Sequence, residues 1–234
     1  PTTLAFVHLD ARGERSFSFC RDPGADSRLR RDEVDGARLA DCRIFHFGSV
    51  SLSKSPARET TLWAARRARK CGAMVSYDPN YRPLLWQSEA EARRWIREAL
   101  ALADIVKVSD DELLLATGLS DPERGAEAVL EAGAAAVIVS LGAKGSLVRT
   151  RNAVARADAY PVEATDTTGA GDAFLGAVLY QLRGDTLPEI GNKSGAEWEN
   201  ILRFANAAGG LTATGPGAIP AMPDVTAIRQ LMRG

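Results

Sequence analysis

A glycine-rich stretch that leads directly into an apolar helical pattern constrains this chain more than any other segment. The stretch reads Asp166-Thr167-Thr168-Gly169-Ala170-Gly171-Asp172, and apolar side chains follow at positions 174, 175, 178, 179 and 182. Steps of one, three and four residues place these side chains on one face of a helix. Glycines at a helix start let the chain turn tightly, so free backbone amides and the positive end of the helix dipole converge on one point. The pattern therefore predicts an anion site, most often one for phosphate.

Asp172 lies in the first turn of that predicted helix. A carboxylate there can accept a proton from a hydroxyl group while the amides hold the charge that develops beyond it, which suits phosphoryl transfer to an alcohol. A simpler interpretation also exists, because acidic residues in the first turn of a helix are common for their effect on the helix dipole alone. The residue types by themselves leave both interpretations open.

Composition excludes several classes of protein. The 234 residues are 45% hydrophobic and 25% charged, with a net charge of −1, which is typical of a folded globular protein. The charge pattern has no basic stripe for nucleic acid, and no apolar run approaches the ~20 residues of a membrane span. The three cysteines are odd in number and widely spaced, so we expect free thiols in a reducing cytoplasm.

Strand-like and helical patterns alternate along most of the chain. Strands are predicted over 43–50, 73–77, 104–108 and 136–140, and helices over 56–70, 88–103, 121–132 and 197–212. Such alternation predicts an α/β sandwich with a mostly parallel sheet. Residues 1–21 are instead typical of a β-hairpin, and residues 183–196, which are rich in polar residues and glycine, are predicted to form a loop.

Three further motifs each follow a predicted strand. They read Asp78-Pro79-Asn80-Tyr81-Arg82, Ser109-Asp110-Asp111-Glu112 and Ser140-Leu141-Gly142-Ala143-Lys144-Gly145. Together with the glycine-rich stretch at 166–172, they resemble the PfkB (ribokinase-like) family of carbohydrate kinases. The residues around 2–21 and 78–86 are most similar to the fructokinases of that family. No Walker-type phosphate loop occurs in the sequence.

The resemblance implies a ribokinase-like fold, a three-layer α/β/α sandwich with a mostly parallel central sheet. It implies a partial β-strand lid over residues 1–21 and a nucleotide- and sugar-binding core over 22–234. PfkB kinases begin with a strand that carries a sugar-binding Asp and continue with a Gly-Gly-x-x-x-Asn segment. Neither pattern occurs here, so we expect a chain that is N-terminally truncated and that lacks one unit of its core.

The resemblance also implies roles for residues at the reacting centre. Asp172 corresponds to the catalytic base, and the amides of Gly169, Ala170 and Gly171 to the anion hole. Arg82 would stabilise the transferred group, and the sugar would contact Arg21, Asn80 and Asp172. Arg21 has an equally good interpretation as a solvated residue at the end of an edge strand.

Cofactor positions follow from the same resemblance. ATP would contact Ser140, Gly142, Gly145 and Asn206, although a plain hairpin and a close-packed helix explain these residue types as well. Glu112 would organise Mg²⁺ through water; Ser109 stands where many family members have Asn. Asp166 and Thr168 would bind a monovalent cation such as K⁺.

The implied activity is ATP-dependent phosphorylation of a primary hydroxyl of a sugar, with D-fructose giving fructose 6-phosphate. Within the family the alternative is a 2-keto-3-deoxygluconate kinase or another sugar or nucleoside kinase. The alternative from another class is a nucleotide-binding fragment without catalysis, which the expected truncation makes a real option. Lid strands often pair between subunits in this family, so the resemblance allows a homodimer; nucleic acid and membrane partners are not expected.

Overall fold

The computed structural model describes residues 1–9, 15–21 and 24–234. The chain divides into two compact units, a first unit of Pro1–Leu102 and a second unit of Ala103–Gly234. Strands and helices alternate in both units after the opening hairpin. The α/β class that the sequence predicts is therefore confirmed.

The first unit contains two pairs of strands. Strands β1 (Leu4–Leu9) and β2 (Arg15–Cys20) form the antiparallel hairpin expected for the lid. Strands β3 (Ile44–Gly48) and β4 (Met74–Asp78) are parallel. The helices of this unit are α1 (Gly36–Asp41), α2 (Ala57–Lys70) and α3 (Glu89–Leu100), with short 3₁₀ turns at Ala25–Arg28, Arg31–Glu33, Val50–Leu52 and Pro83–Leu85.

A crossover helix explains why β3 and β4 are parallel. Helix α2 lies between them in sequence and buries one face that is rich in small residues, including Ala64, Ala65 and Ala68. Every residue of β4 is buried, as expected for a parallel strand that is covered on both sides. The polar residues that follow β4 are thereby held at the end of a rigid strand.

The second unit contains a mixed group of four strands. Strand β5 (Ile105–Ser109) is parallel to β6 (Ala136–Ser140), whereas β7 (Ser146–Arg149) and β8 (Val154–Ala157) each run antiparallel to the strand before them. A mostly parallel arrangement does not extend to β7 and β8, because the connections before them are too short for a crossover helix. The helices of this unit are α4 (Asp110–Thr117), α5 (Pro122–Glu131), α6 (Ala170–Leu182), α7 (Leu187–Asn192), α8 (Gly195–Ala213) and α9 (Val225–Leu231).

Close packing between α6 and α8 fixes the helix that follows the glycine-rich stretch. A Cβ atom on Gly209 of α8 would lie 3.1 Å from the carbonyl oxygen of Ala170 and 3.4 Å from Cβ of Phe174. Farther along the same helices, the rings of Tyr180 and Phe204 stack with their centroids 6.2 Å apart. The absence of a side chain at Gly209 thus lets α8 support the first turn of α6.

Residues 183–196 are more regular than the predicted loop. They contain α7, which begins with a capping box between Thr186 and Glu189. Lys193 and Asp185 form an ion pair of 2.9 Å that joins the two ends of the segment. The polar composition that suggested a loop therefore reflects the caps of a short helix.

Across residues 1–9, 15–21 and 24–234, none of the helices combines the length and the apolar character that a membrane crossing requires.

Candidate active site

The start of α6 is built around a glycine that no other residue could replace without strain. Gly169 has φ +80° and ψ −4°, in the left-handed region. A Cβ atom there would lie 2.8 Å from Cβ of Ala218. Both its conformation and its surroundings therefore require glycine at the residue that caps α6.

The amides at this helix start differ in their availability. The Ala170 amide donates to the carbonyl oxygen of Thr167 at 3.2 Å. The amides of Gly171 and Asp172 have no acceptor among the described residues, as is usual for the first turn of a helix. Gly171 and Asp172 are both exposed. The arrangement can therefore receive an anion at two amides and places a carboxylate next to them.

The first residue of the glycine-rich stretch is tied to the loop after α8. One carboxylate oxygen of Asp166 accepts a hydrogen bond from the Thr168 amide, and the other accepts from the Gly217 amide, both at 2.9 Å. The amides of Thr165 and Asp166 also donate to the carbonyl oxygen of Ala213. Each carboxylate oxygen has a second lone pair, so Asp166 can accept these bonds and still contact a cation.

Glu112 occupies a second position where a metal was predicted. Its Oε2 accepts from the Ser109 amide at 2.9 Å, and Ser109 Oγ accepts from the Glu112 amide at 3.2 Å. This capping box fixes a carboxylate that is only 8% exposed. Within the described ranges, no cluster of three or more His, Cys, Asp or Glu side chains is placed to hold a metal. The donor set fits Mg²⁺, which keeps several waters and takes its remaining ligands from one or two carboxylates and substrate phosphates.

The predicted nucleotide loop joins β6 to β7. Ser140 ends β6, and Gly142 and Gly145 have φ values of +57° and +88°. A Cβ atom on Gly145 would lie 2.0 Å from the carbonyl oxygen of Ala157, whereas one on Gly142 would meet nothing within 4 Å. Gly145 therefore lets the loop pack against the end of β8, and Gly142 borders open space.

Asn206 of α8 forms hydrogen bonds with the backbone at the end of β8. Its Nδ2 donates to the carbonyl oxygens of Ala157 at 3.0 Å and Asp158 at 3.1 Å. Asn206 is 8% exposed, so both amide hydrogens are committed to the backbone in a buried position. The structure thus brings Asn206 and Gly145 together through Ala157, and only the Oδ1 atom of Asn206 remains for other contacts.

Two of the predicted residues in the first unit follow β4. Asn80 has φ +44°, and its amide donates to Oδ1 of Asp78 at 3.1 Å. Arg82 is half-buried, and its Nη1 donates to the carbonyl oxygen of Tyr81 at 3.1 Å. This turn, with one non-glycine residue in the left-handed region, presents polar side chains at the carboxyl end of a buried strand, where α/β proteins commonly bind ligands.

Arg21 lies apart from these residues in sequence and is almost fully engaged. Its Nε and Nη2 both donate to Oδ2 of Asp26, Nη2 also donates to the carbonyl oxygen of Val50, and Nη1 donates to Oγ of Ser53. These bonds use four of the five N–H groups of a guanidinium, which leaves at most one for a ligand. Arg21 is 6% exposed, so a purely solvated position is wrong.

Asp26, the ion-pair partner of Arg21, has a lowered pKa. Burial by itself would raise the pKa of Asp26, but hydrogen bonds from Arg21 and from the Thr3 hydroxyl outweigh it and lower the pKa below 3.8. Gly24 lies against the same group, because a Cβ atom there would be 2.6 Å from Oγ1 of Thr3. The cluster of Thr3, Arg21, Asp26 and Ser53 therefore joins both ends of the hairpin to the segment after β3.

Sequence reasoning missed one charged residue beside the glycine-rich stretch. Lys107 lies on β5 between apolar neighbours and is 7% exposed. Its Nζ atom lies 3.3 Å from the position that a Cβ atom on Gly171 would take. The available signal was a lysine within the run Ile105-Val106-Lys107-Val108, where every neighbouring residue is apolar.

Comparisons with known proteins agree on one family. The model of the pfkB family carbohydrate kinases matches residues 1–225. The chain is 40% identical over 235 residues to probable fructokinase-4 of Arabidopsis thaliana, in an alignment that covers 100% of this chain and 71% of that protein. Over several curated plant relatives, this chain spans 66% to 71% of their length.

Solved structures give the same result. The fold matches a fructokinase of Xylella fastidiosa with bound ATP at a TM-score of 0.89 and 34% identity, over 99% of this chain and 73% of that one. It matches a double-mutant fructokinase of Vibrio cholerae O395, with fructose, ADP and a potassium ion bound, at a TM-score of 0.88 and 35% identity over the same shares. These matches confirm the predicted ribokinase-like fold and the predicted class of sugar kinase. The chain belongs to the pfkB family of carbohydrate kinases.

Proposed function

We propose that this chain phosphorylates D-fructose at a primary hydroxyl with ATP, giving fructose 6-phosphate and ADP. The observation that carries the proposal is the start of α6, where two amides without acceptors and an exposed carboxylate lie in one helical turn. The fructokinases to which the chain is similar support fructose as the sugar. The proposal applies to the chain together with any further segment that its longer relatives contain.

In the proposed reaction, Asp172 accepts the proton of the attacking hydroxyl group. The resulting oxygen forms a bond to the γ-phosphorus of ATP as the bond from that phosphorus to the β–γ bridging oxygen breaks, and ADP leaves. The amides of Gly171 and Asp172 hold the charge on the transferred group. The Asp172 amide is thereby added to the anion hole expected from the amides of Gly169, Ala170 and Gly171. By resemblance, Arg82 of the first unit is assigned to the same transferred group.

Two kinds of metal ion would assist the phosphoryl transfer, each held by oxygen atoms of the chain. Glu112 would hold Mg²⁺ through water, and the ion supplies neutralisation of phosphate charge when bound. Asp166 and Thr168 would hold a monovalent cation, since a carboxylate oxygen can accept a hydrogen bond from an amide and still contact an ion.

The nucleotide would lie along the loop between β6 and β7. Gly142 has open space beside its Cα atom and permits close approach of a ligand, while Ser140 is at the end of β6. We assign Gly145 and Asn206 to shaping this region, because both are engaged with the end of β8. The Oδ1 atom of Asn206 remains for a nucleotide contact.

Sugar recognition is assigned to Asn80, to Asp172 and, through its single remaining donor, to Arg21. We also propose a cytoplasmic location, from the free cysteines and the family's substrates, and a homodimer through the lid. These two assignments rest on resemblance and composition alone.

A coupled assay of ADP release tests the function. The sugars are fructose, ribose and 2-keto-3-deoxygluconate, with adenosine as a nucleoside acceptor. We expect turnover with fructose, and we expect Asp172→Asn to reduce it by at least about a hundredfold, since it removes the base. The matched control is Asp224→Asn, because Asp224 caps α9 and Asn is an equally good cap.

Each other outcome of the assay contradicts a defined part of the proposal. Preferred turnover of 2-keto-3-deoxygluconate would replace fructose as the substrate. Retained turnover in Asp172→Asn would exclude this residue as the base. Binding of ADP without turnover of any acceptor would identify the chain as a nucleotide-binding protein without catalysis.

A further inference from the structure

The Arg21 guanidinium keeps one donor that the chain does not use. Its Nε donates to Oδ2 of Asp26 at 2.8 Å, and its Nη2 lies 2.6 Å from the same oxygen. Nη2 also donates to the carbonyl oxygen of Val50, and Nη1 donates to Oγ of Ser53 at 2.6 Å. One N–H group of Nη1 therefore has no acceptor among the residues that the structure describes.

This remaining donor belongs to a buried side chain. Arg21 is 6% exposed, and a buried donor without an acceptor costs free energy that a bound acceptor would recover. The bonds to Asp26, Val50 and Ser53 hold the base of the hairpin and use only the other N–H groups. The unused N–H group is therefore the part of Arg21 that a ligand can engage.

The positive charge of this guanidinium is already balanced. Asp26 forms an ion pair with Arg21, and the pKa of Asp26 is lowered from 3.8, so its carboxylate is ionised at neutral pH. A second guanidinium, that of Arg58, donates to the carbonyl oxygen of Ser53 and is paired with Glu91 at 2.9 Å. Both guanidiniums that contact Ser53 therefore have a carboxylate partner within the chain.

An acceptor bound at Arg21 is best matched if it is neutral. A carboxylate binds a guanidinium most strongly through two parallel bonds and an unbalanced positive charge. Arg21 offers a single N–H group, because Asp26 occupies the Nε side of the guanidinium and balances its charge. A sugar hydroxyl group needs only one donor and no net charge, so it fits what Arg21 has left.

We propose that Asp26 determines the class of substrate by balancing the charge of Arg21, so that the site accepts a neutral sugar and disfavours a sugar acid. The inference rests on the proposed function, in which Arg21 contacts the sugar, and it deepens that function by naming a residue that selects the substrate. Asp26 acts through Arg21 and is therefore a positioning residue.

Steady-state kinetics with fructose and with 2-keto-3-deoxygluconate, which carries a carboxylate, test the proposal. Asp26→Asn removes the negative charge but keeps an oxygen for Arg21 and a polar group for the Thr3 hydroxyl. We expect kcat/KM for the sugar acid, divided by kcat/KM for fructose, to rise by about tenfold or more, because the acid then meets an unbalanced charge. The change should lie mainly in KM. The matched control is Glu91→Gln, which removes the partner of Arg58 instead and should leave the ratio within about twofold.

A second variant separates the charge of Arg21 from its number of unused donors. Ser53→Ala releases another N–H group of Nη1 but leaves Asp26 in place, so we expect the ratio to change less than about twofold. Thermal unfolding checks that each variant is folded. Should Asp26→Asn fail to fold, Asp26→Ser, which also offers Arg21 a neutral acceptor, is measured in its place.

Equal losses of kcat/KM for the two substrates in Asp26→Asn would show that Asp26 is structural and overturn the proposal. An equal shift of the ratio in Ser53→Ala would also overturn it, because the number of unused donors would then select the substrate. Failure of the unmodified chain to phosphorylate fructose would instead contradict the proposed function, and is measured first.

Discussion

Asp166 and Gly217 are joined by a hydrogen bond of 2.9 Å from the Gly217 amide to the Asp166 carboxylate, across 51 positions of the chain. The same carboxylate accepts from the Thr168 amide. One side chain therefore fixes both the turn before α6 and the loop after α8. The geometry of the proposed phosphate site depends on that side chain even before any cation binds.

Replacement of Asp166 by Ala should affect stability and turnover together. Two backbone amides lose their acceptor, and we expect the free energy of unfolding to fall by about 1–3 kcal/mol. Turnover should fall by a larger factor than the stability change alone explains, because the turn before Asp172 loses its support. Urea unfolding and the coupled assay measure the two effects. Asp224→Ala, which removes an N-cap acceptor at α9, should lower stability alone; equal activity of the two variants would contradict this role of Asp166.

Two glycines of the β6–β7 loop provide a matched pair for the nucleotide region. Gly142→Ala and Gly145→Ala both place a Cβ atom on a residue with positive φ, which costs about 1–3 kcal/mol. Only Gly145→Ala also drives that atom to within 2.0 Å of the Ala157 carbonyl oxygen. We expect its total cost to reach about 3–5 kcal/mol. Urea midpoints compare the variants, and similar midpoints would show that the end of β8 can move away freely.

Replacement of Asn206 by Asp, which has nearly the same shape, should lower the stability of the fold strongly. Asn206→Asp replaces two hydrogen-bond donors by acceptors that face the carbonyl oxygens of Ala157 and Asp158. We expect a loss of at least about 2 kcal/mol of stability, because the group is buried. The control is Asn152→Asp, since Asn152 is exposed and also donates from Nδ2 to two oxygens. Equal unfolding midpoints for the two variants would exclude a structural role for the buried amide.

The Arg21–Asp26 pair predicts an acid-dependent contribution to stability. The pKa of Asp26 is lowered in the folded chain from its ordinary value of 3.8. A lowered pKa means that the contribution is complete well above 3.8 and is lost as the pH falls through the folded value. Because the Asp26 side chain is 42% exposed, solvent screens the pair and the contribution is small.

Thermal unfolding of the unmodified chain and of Asp26→Asn tests this dependence. The difference between their melting temperatures should be constant from about pH 5 to pH 8 and should shrink below about pH 4. A difference that grows as the pH falls would reverse the sign of the proposed effect.

Local features of the site could be predicted from the sequence because they depend on neighbouring residues. The apolar spacing after Asp172 defines α6, which begins at Ala170 where the glycine-rich stretch indicated. The turn at Asn80 likewise follows a buried strand, as predicted. Resemblance added the family, which the comparisons confirm.

The contacts that hold these features together could not be predicted in the same way. Gly145 contacts Ala157, and Arg21 contacts Ser53 at 32 positions' separation, because strands and helices bring distant segments together. Sequence periodicity reports only local order, so Arg21 could be interpreted as a solvated residue although the structure buries it. Helix α7 was missed for a different reason. Thr186 and Glu189 have the spacing of a capping box, which indicates a helix start, but the polar and glycine-rich composition of the segment favoured a loop.

The capping box of Ser109 and Glu112 also links metal binding to the dynamics of α4. The Glu112 carboxylate accepts a hydrogen bond of 2.9 Å from the Ser109 amide. Glu112 cannot leave the position proposed for organising Mg²⁺ without breaking that bond. Conversely, fraying of the first turn of α4 would displace the carboxylate from the metal. By thermodynamic reciprocity, Mg²⁺ binding and closure of this turn must favour each other to the same extent. Slower hydrogen exchange at the Ser109 amide would therefore report metal occupancy at a distance from the reacting phosphate.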